Sequence, residues 1–192
     1  MERIIGEKMK DSMIKIGMVY IDMDGVLANF FQKLAKLYGM HHWKDIPSSE
    51  DTIKRLSGTD FFNTLEPFPT TLHLLRDVHW LTEGNWSILS TPLKGDEQNS
   101  IYWKNRWLDR ILDQVNEPLS IKGVQPLCRF YSHHKHHFAK EKRLLKDVPN
   151  LLIDDRPDNI KAFIQQGGVG LRYQADESNY KELITKLGKE LY

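Results

Sequence analysis

Apolar residues fall in short runs separated by longer stretches with helical periodicity. The short runs predict buried strands, because each is apolar over a few residues and bounded by turn-forming residues. The first is Ile14 to Ile21, in which Val19-Tyr20-Ile21 forms the strand itself. The other predicted strands are Trp86 to Leu89, Pro126 to Tyr131, Leu151 to Ile153 and Val169 to Tyr173.

The stretches between these runs carry apolar side chains three or four residues apart, which predicts amphipathic helices. Gly39 ends the first of them, and Pro157 suits the first turn of a later one. The predicted helices are Phe30 to Tyr38, Pro69 to Leu81, Asp96 to Leu112, His134 to Leu145, Pro157 to Gln166 and Ser178 to Leu187. Strands that alternate with helices predict an α/β fold, a Rossmann-like doubly wound parallel sheet.

Residues 39–66 interrupt this alternation. The segment contains His41-His42-Trp43, a Pro-Ser-Ser sequence and a short helical piece at 53–56 that Gly58 ends. We interpret it as a small helical cap inserted after the first strand. The predicted layout is an N-terminal extension at 1–16, a core domain at 17–38 and 67–192, and the cap at 39–66.

Composition narrows the class of protein. The 192 residues suffice for one substantial domain, and the formal net charge of +1 gives no basis for binding a nucleic-acid polymer. The single cysteine, Cys128, excludes an intrachain disulfide and fits a reducing cytoplasm. The sequence has no apolar run of about 20 residues, so we expect a cytoplasmic protein with no membrane partner.

Chemically reactive side chains follow four of the predicted strands. Because the carboxyl ends of parallel strands meet at one edge of a sheet, these groups should converge on one crevice. Carboxylates placed side by side repel each other unless a cation or a shared proton intervenes. The groups are Asp22 and Asp24, Ser90 and Thr91, Lys135, and Asp154 and Asp155.

Such a set fits phosphoryl transfer. A carboxylate can attack phosphorus to form an aspartyl phosphate. A magnesium ion held by carboxylates can offset the repulsion between that nucleophile and the phosphate. A lysine and a hydroxyl can hold the remaining phosphate oxygens.

Five motifs, in this order, resemble those of the haloacid dehalogenase (HAD) superfamily phosphatases, and among them the 5'(3')-deoxyribonucleotidase family. The resemblance runs from about Val19 to Gly170 and implies a HAD-like form of the predicted sheet. The motifs are Asp22 to Phe30, Phe61-Phe62 with Leu65-Glu66-Pro67 and Pro69, Leu89 to Lys94, Ser132 to Lys135, and Leu151 to Asp158.

The resemblance implies a role for each acidic residue. Asp22 would be the nucleophile, and Asp24 would protonate the leaving oxygen and then activate water. Magnesium would be held by Asp22, the backbone carbonyl of Asp24, and the Asp154-Asp155 pair, with Asp155 as the preferred direct ligand.

It also implies the substrate contacts. Ser90 would donate its hydroxyl to the phosphate, Lys135 would pair with both the phosphate and the aspartyl group, and Phe30 would stack on a nucleoside. Three further residues would lie near the substrate: Thr91, Lys94 and His133. The sequence departs from the family pattern at Asn29, at His133, where some relatives have arginine, and across the cap.

The implied function is a magnesium-dependent phosphomonoesterase that dephosphorylates (deoxy)nucleoside monophosphates through a phospho-aspartyl intermediate. The partner would be a small-molecule substrate, and a homodimer is left open. One alternative is a HAD-type phosphatase for another small phosphate ester, such as a sugar phosphate. The other is a non-catalytic protein that binds a phosphate-containing ligand.

Overall fold

The computed structural model describes residues 16–46, 50–121, 137–138 and 149–192. These residues contain five strands that pair in parallel in the order β3-β2-β1-β4-β5. The strands are β1 (Val19–Ile21), β2 (Trp86–Ser90), β3 (His137–Phe138), β4 (Leu151–Asp154) and β5 (Val169–Arg172). The chain leaves β1 toward β2 and β3 and then crosses to β4 and β5, so the strand order reverses at β1. A crevice at such a reversal is the usual ligand site of an open α/β sheet.

Helices lie on both faces of this sheet. In the described residues they are α1 (Phe30–Leu37), α2 (Glu50–Lys54), α3 (Thr71–Leu81), α4 (Glu97–Ile121), α5 (Pro157–Gln165) and α6 (Tyr180–Leu191), with 3-10 turns at Trp43–Asp45 and Phe61–Thr64. One face of the sheet packs against apolar residues of α3, α4 and α6, and the other packs against Ile160 and Phe163 of α5. The predicted α/β class and parallel sheet are therefore confirmed.

Some predicted elements differ from the structure, and the last helix, predicted to end at Leu187, continues to Leu191. The helix predicted from His134 to Leu145 is wrong at His137 and Phe138, which pair with Leu89 and Ser90 of β2. Pairing with the open edge of β2 satisfies backbone hydrogen-bonding groups, and this tertiary contact cannot be predicted from the helical periodicity of the local sequence. Helix α4 continues to Ile121, beyond the predicted end at Leu112. The strand predicted at 126–131 lies outside the described residues.

The described helices give no indication of a membrane-spanning segment. No helix in the described part of the chain is both long and apolar enough to cross a bilayer.

A buried histidine joins α3 to the start of β2. His79 is 7% exposed, and its Nδ1 accepts a hydrogen bond from Trp86 Nε1 at 3.3 Å. Burial lowers the pKa of His79 below its ordinary value of 6.5. A proton on Nδ1 would also remove the acceptor that the indole uses. The folded protein therefore binds this proton less readily than the unfolded chain does.

We expect the free energy of unfolding in urea to fall as pH is lowered from about 7.5 to about 5.5, because the unfolded state then takes up the proton first. In His79→Gln this part of the pH dependence should be absent. His41→Gln, at an exposed position, should retain the pH dependence of the wild type. Equal pH dependence in His79→Gln and wild type would contradict the assignment.

Candidate functional site

The segment after β1, residues 22–28, is wound into a tight loop by its own backbone. The amides of Leu27 and Ala28 both donate to the carbonyl of Met23, at 2.9 and 2.8 Å. The amide of Gly25 donates back to the carbonyl of Ala28 at 2.9 Å. These bonds fix the two carboxylates of the loop relative to the end of the strand.

A second set of bonds holds this loop from outside. The carbonyl of Leu27 accepts from the amide of Phe68 at 3.0 Å and from Thr71 Oγ1 at 2.6 Å. The amide of Asn29 donates to the carbonyl of Glu66 at 2.8 Å. Asn29 also begins α1, since its side chain accepts from the amide of Gln32. Residues 66–71, where the chain returns to the core, thus hold the loop after β1 in place through hydrogen bonds.

Gly25 is the point at which the β1 and β4 loops meet. Its φ is +86°, a value that side-chain-bearing residues rarely adopt. A Cβ at this position would lie 2.8 Å from Asp155 Cγ and 2.9 Å from Asp155 Oδ2. Glycine is therefore needed both for the turn and for the close approach of the Asp155 carboxylate.

Three carboxylates form a compact buried cluster at this edge of the sheet. Asp22, Asp154 and Asp155 are 5%, 0% and 6% exposed, and one ligand oxygen from each lies within 4.8 Å of the others. Three buried negative charges this close repel strongly unless a cation joins them. An all-oxygen donor set is the kind that a hard divalent cation such as Mg²⁺ prefers. The cluster fits the predicted metal site.

Asp154 is oriented by the start of α5. Asn159 Nδ2 donates to both carboxylate oxygens of Asp154, at 3.1 and 3.0 Å, and the amide of Arg156 donates to Oδ1 at 2.8 Å. The neighbouring residue, Asp155, is fixed through its backbone, because its carbonyl accepts from Arg172 Nε at 3.1 Å. Of these two acidic residues, Asp155 is the one that lines a cavity at this edge of the sheet.

The edge of the sheet that carries these carboxylates opens into that cavity, which has a volume of about 170 Å³. Five residues predicted for the site line it: Asp22, Asp24, Phe30, Thr91 and Asp155. Three further residues complete the lining: Phe31, Arg156 and Asn159. The structure therefore brings the ends of β1, β2 and β4 together around one space, as the sequence predicts.

The other predicted residues lie elsewhere. Ser90 is fully buried beside the cavity and is not among its lining residues. Lys94 is exposed and does not line the cavity either. His133 and Lys135 lie outside the described residues, so the predicted phosphate contacts of these two side chains stay predictions.

A buried lysine that sequence reasoning missed lies beside the cavity and contacts residues that line it. Lys104, in α4, is fully buried, and its Nζ donates to Asp24 Oδ2 at 2.6 Å, Ser90 Oγ at 2.9 Å and the Thr91 carbonyl at 2.8 Å. Its position on the helix was the available signal. It falls on the same stripe as Ser100, Trp107 and Ile111, where a buried side chain is expected.

A larger cavity, of about 570 Å³, lies between β5 and α6. Its lining includes Lys186 and Glu182, which are mutually close on α6 with Nζ and Oε2 4.0 Å apart. Neither the carboxylate cluster nor Lys104 contributes to it. The smaller cavity is therefore the candidate site.

Comparisons with known proteins yield structural likenesses only. A scan against protein-family models finds no match, and a search of curated proteins finds none. Among solved structures, a HAD family hydrolase from Deinococcus radiodurans with bound phosphate and sodium is 12% identical, with a TM-score of 0.40, over 91% of this chain and 89% of that one.

Two other solved structures are similar to the same degree. A hydrolase from Streptococcus pneumoniae is 13% identical, with a TM-score of 0.43, over 90% of this chain and 98% of that one. A candidate β-phosphoglucomutase from Bacteroides vulgatus is 13% identical, with a TM-score of 0.38, over 95% and 85% of the two chains. Because all three scores lie below 0.5, we base the functional proposal on the residues of the site.

Substitution of Gly25 by alanine should displace the Asp155 carboxylate. We expect Gly25→Ala to weaken Mg²⁺ binding about tenfold or more, the scale seen when groups that orient metal ligands are disturbed. Calorimetric titration with MgCl₂ measures this directly.

Gly39→Ala is the matched control, because Gly39 also has positive φ, +68°, but a methyl group added there would meet nothing within 4 Å. Both variants should lose some thermal stability, by about 1–2 kcal/mol, from the strained backbone. Gly39→Ala should bind Mg²⁺ as the wild type does. Unchanged Mg²⁺ affinity in Gly25→Ala would contradict the proposed geometry.

Proposed function

We propose that the chain is a magnesium-dependent phosphomonoesterase of the HAD type that acts on nucleoside monophosphates, deoxyribonucleotides favoured, through a phospho-aspartyl intermediate. The observation that carries the proposal is the convergence of Asp22, Asp24, Thr91 and Asp155 on one cavity at the reversal of the strand order. A buried cation, Lys104, accompanies them. Carboxylates and a hydroxyl group around one cavity are suited to phosphoryl transfer to a carboxylate.

In the first half of the reaction, an oxygen of Asp22 attacks phosphorus. The new bond joins that oxygen to phosphorus, and the bond between phosphorus and the ester oxygen breaks. Asp24, which lines the same cavity, gives its proton to the departing nucleoside oxygen. The products of this half are the free nucleoside and phosphorylated Asp22.

In the second half, water attacks phosphorus and Asp24 accepts a proton from it. The bond between phosphorus and Asp22 breaks, which releases inorganic phosphate and restores the Asp22 carboxylate. Asp24 is again protonated, so the cycle closes with one ester bond hydrolysed. Asp22 and Asp24 are separated by one residue in a loop that hydrogen bonds fix from within and from outside. This fixed spacing suits a nucleophile and an acid–base residue that act on the same phosphate.

Magnesium would be held by Asp22, the backbone carbonyl of Asp24, and Asp155. Asp154, whose carboxylate already accepts from Asn159 and Arg156, would add charge to the site and fix the loop. When bound, the ion would neutralise charge on the phosphate and on the attacking carboxylate.

The phosphate would be held by hydroxyl groups at the end of β2. Thr91 lines the cavity, and the hydroxyl of Ser90, which accepts from Lys104, keeps its own proton to donate. Lys135, Lys94 and His133 remain proposed substrate contacts on the strength of the family resemblance.

The size of the cavity implies that only part of the substrate is enclosed. At about 170 Å³, it is smaller than the roughly 300–1,000 Å³ of sites that enclose a whole drug-sized ligand. The phosphate and the metal would therefore occupy the enclosed part, and the remainder of the substrate would extend past the aromatic residues at its side.

The aromatic residues beside the cavity favour a nucleotide as the substrate. Phe30 and Phe31 line the cavity with ring centroids 5.5 Å apart, and Trp43 packs on Phe31 at 4.8 Å. Aromatic faces bind planar bases by stacking, which contributes about 1–3 kcal/mol per base. A sugar phosphate has no planar base to stack on these side chains and would gain less binding free energy from them. For this reason a sugar phosphate is the second candidate substrate.

Asp22→Asn tests the nucleophile. We expect phosphate release from dUMP and dTMP with Mg²⁺ to fall at least about a thousandfold, because an amide cannot form the phosphorylated intermediate. Addition of EDTA to the wild type should abolish release as well. Asp158→Asn, at an exposed carboxylate near the site that does not line the cavity, should retain activity. Activity that survives Asp22→Asn unchanged would refute the mechanism.

Phe30→Ala tests the substrate class. We expect kcat/KM for dTMP to fall about tenfold, the equivalent of about 1.4 kcal/mol of lost stacking, and kcat/KM for a hexose phosphate to change less. Tyr102→Ala removes an exposed aromatic side chain and should change neither value. An equal fall for both substrates in Phe30→Ala would contradict stacking of Phe30 on the base.

A further inference from the structure

Lys104 is the buried cation next to Asp24. The lysine side chain is 0% exposed, whereas that of Asp24 is 23% exposed and lines the cavity. The ammonium group has three hydrogens, and three acceptors surround it: Asp24 Oδ2, Ser90 Oγ and the Thr91 carbonyl, at 2.6, 2.9 and 2.8 Å. Its hydrogen-bonding capacity is used entirely within the protein.

This arrangement separates Lys104 from the phosphate. Lys104 is not among the residues that line the cavity, and an ammonium group with three protein acceptors has no hydrogen left for a substrate oxygen. The lysine instead joins two loops, because Asp24 follows β1 whereas Ser90 and Thr91 end and follow β2. Its position therefore sets the distance between the acid–base residue and the proposed phosphate-binding hydroxyls.

Helix α4 holds Lys104 independently of these bonds. One turn further along the helix, Trp107 is buried and its Nε1 donates to the carbonyl of Leu65 at 2.8 Å. The ring of Phe62 lies over the ammonium group, with Nζ 4.8 Å from its centroid. Phe62 in turn stacks on Phe30 at 6.1 Å. The aromatic ring therefore also helps to hold the ammonium group in place.

We propose that Lys104 is a positioning residue that holds the Asp24 carboxylate in the orientation required for proton transfer to the leaving oxygen. This inference rests on the proposed phosphatase function, in which Asp24 is the acid and base. It assigns to a residue of α4 a part in the chemistry that occurs at the ends of β1 and β2.

A comparison of two leaving groups isolates this role. The nucleoside oxygen of dTMP is a poor leaving group that needs a proton, whereas p-nitrophenolate departs from p-nitrophenyl phosphate without one. The ratio kcat/KM covers the steps up to departure of the leaving group. A defect in proton donation should therefore reduce kcat/KM for dTMP much more than for p-nitrophenyl phosphate.

The variants are Lys104→Met, Asp24→Asn, the double variant, and Arg106→Met as a control at an exposed position of the same helix. We expect Lys104→Met to lower kcat/KM for dTMP about 100-fold and that for p-nitrophenyl phosphate less than about tenfold, since general acid catalysis contributes roughly 10²–10⁴. Asp24→Asn should change the ratio in the same direction. Lys104→Met should then add no further change on the Asp24→Asn background. Arg106→Met should match the wild type.

Equal losses for both substrates in a folded Lys104→Met protein would overturn the inference, because they would place the lysine at the phosphate or in the general scaffold. Unchanged rates would overturn it too. If Lys104→Met does not fold, as circular dichroism would report, Lys104→Gln supplies the same comparison with an uncharged N–H donor. A wild type that hydrolyses neither substrate would overturn the proposed function and this inference with it, whereas an active wild type confines the failure to Lys104.

Discussion

Repulsion among buried carboxylates is the constraint on which this structure depends. Asp22, Asp154 and Asp155 lie within a few ångströms of one another at the ends of two neighbouring strands, in a place where little water reaches them. Such a cluster costs free energy unless a cation joins it. The parallel sheet imposes the cluster, because β1 and β4 are adjacent and end at the same edge.

The surrounding chain serves to hold the cluster in place. Gly25 allows the β1 loop to touch the Asp155 carboxylate, and the backbone at 66–71 fixes that loop from the other side. Asn159 orients Asp154 from the start of α5. On the β2 side, Lys104 draws Asp24 and Ser90 together. Each contact limits movement of a group that would take part in the reaction, which is the physical meaning of preorganisation.

Sequence reasoning located the parts of the site that follow directly from strand ends. Asp22, Thr91 and Asp155 could be predicted because an apolar strand leads into each, and parallel strands bring their ends together. Lys104 could not be found this way, since it lies in the middle of a helix and only tertiary packing turns it toward β1. Strand β3 was missed for a related reason: residues 137–138 form a strand through pairing with β2, not through local periodicity.

The central claim is that Asp22 carries the phosphoryl group during the reaction. The most direct measurement is to quench the enzyme with acid during turnover of a nucleoside monophosphate and to identify the modified peptide by mass spectrometry. The account predicts one added phosphoryl group on Asp22 and none in Asp22→Asn. A phosphoryl group on a different residue, or turnover with no phosphorylated protein at any quench time, would contradict it.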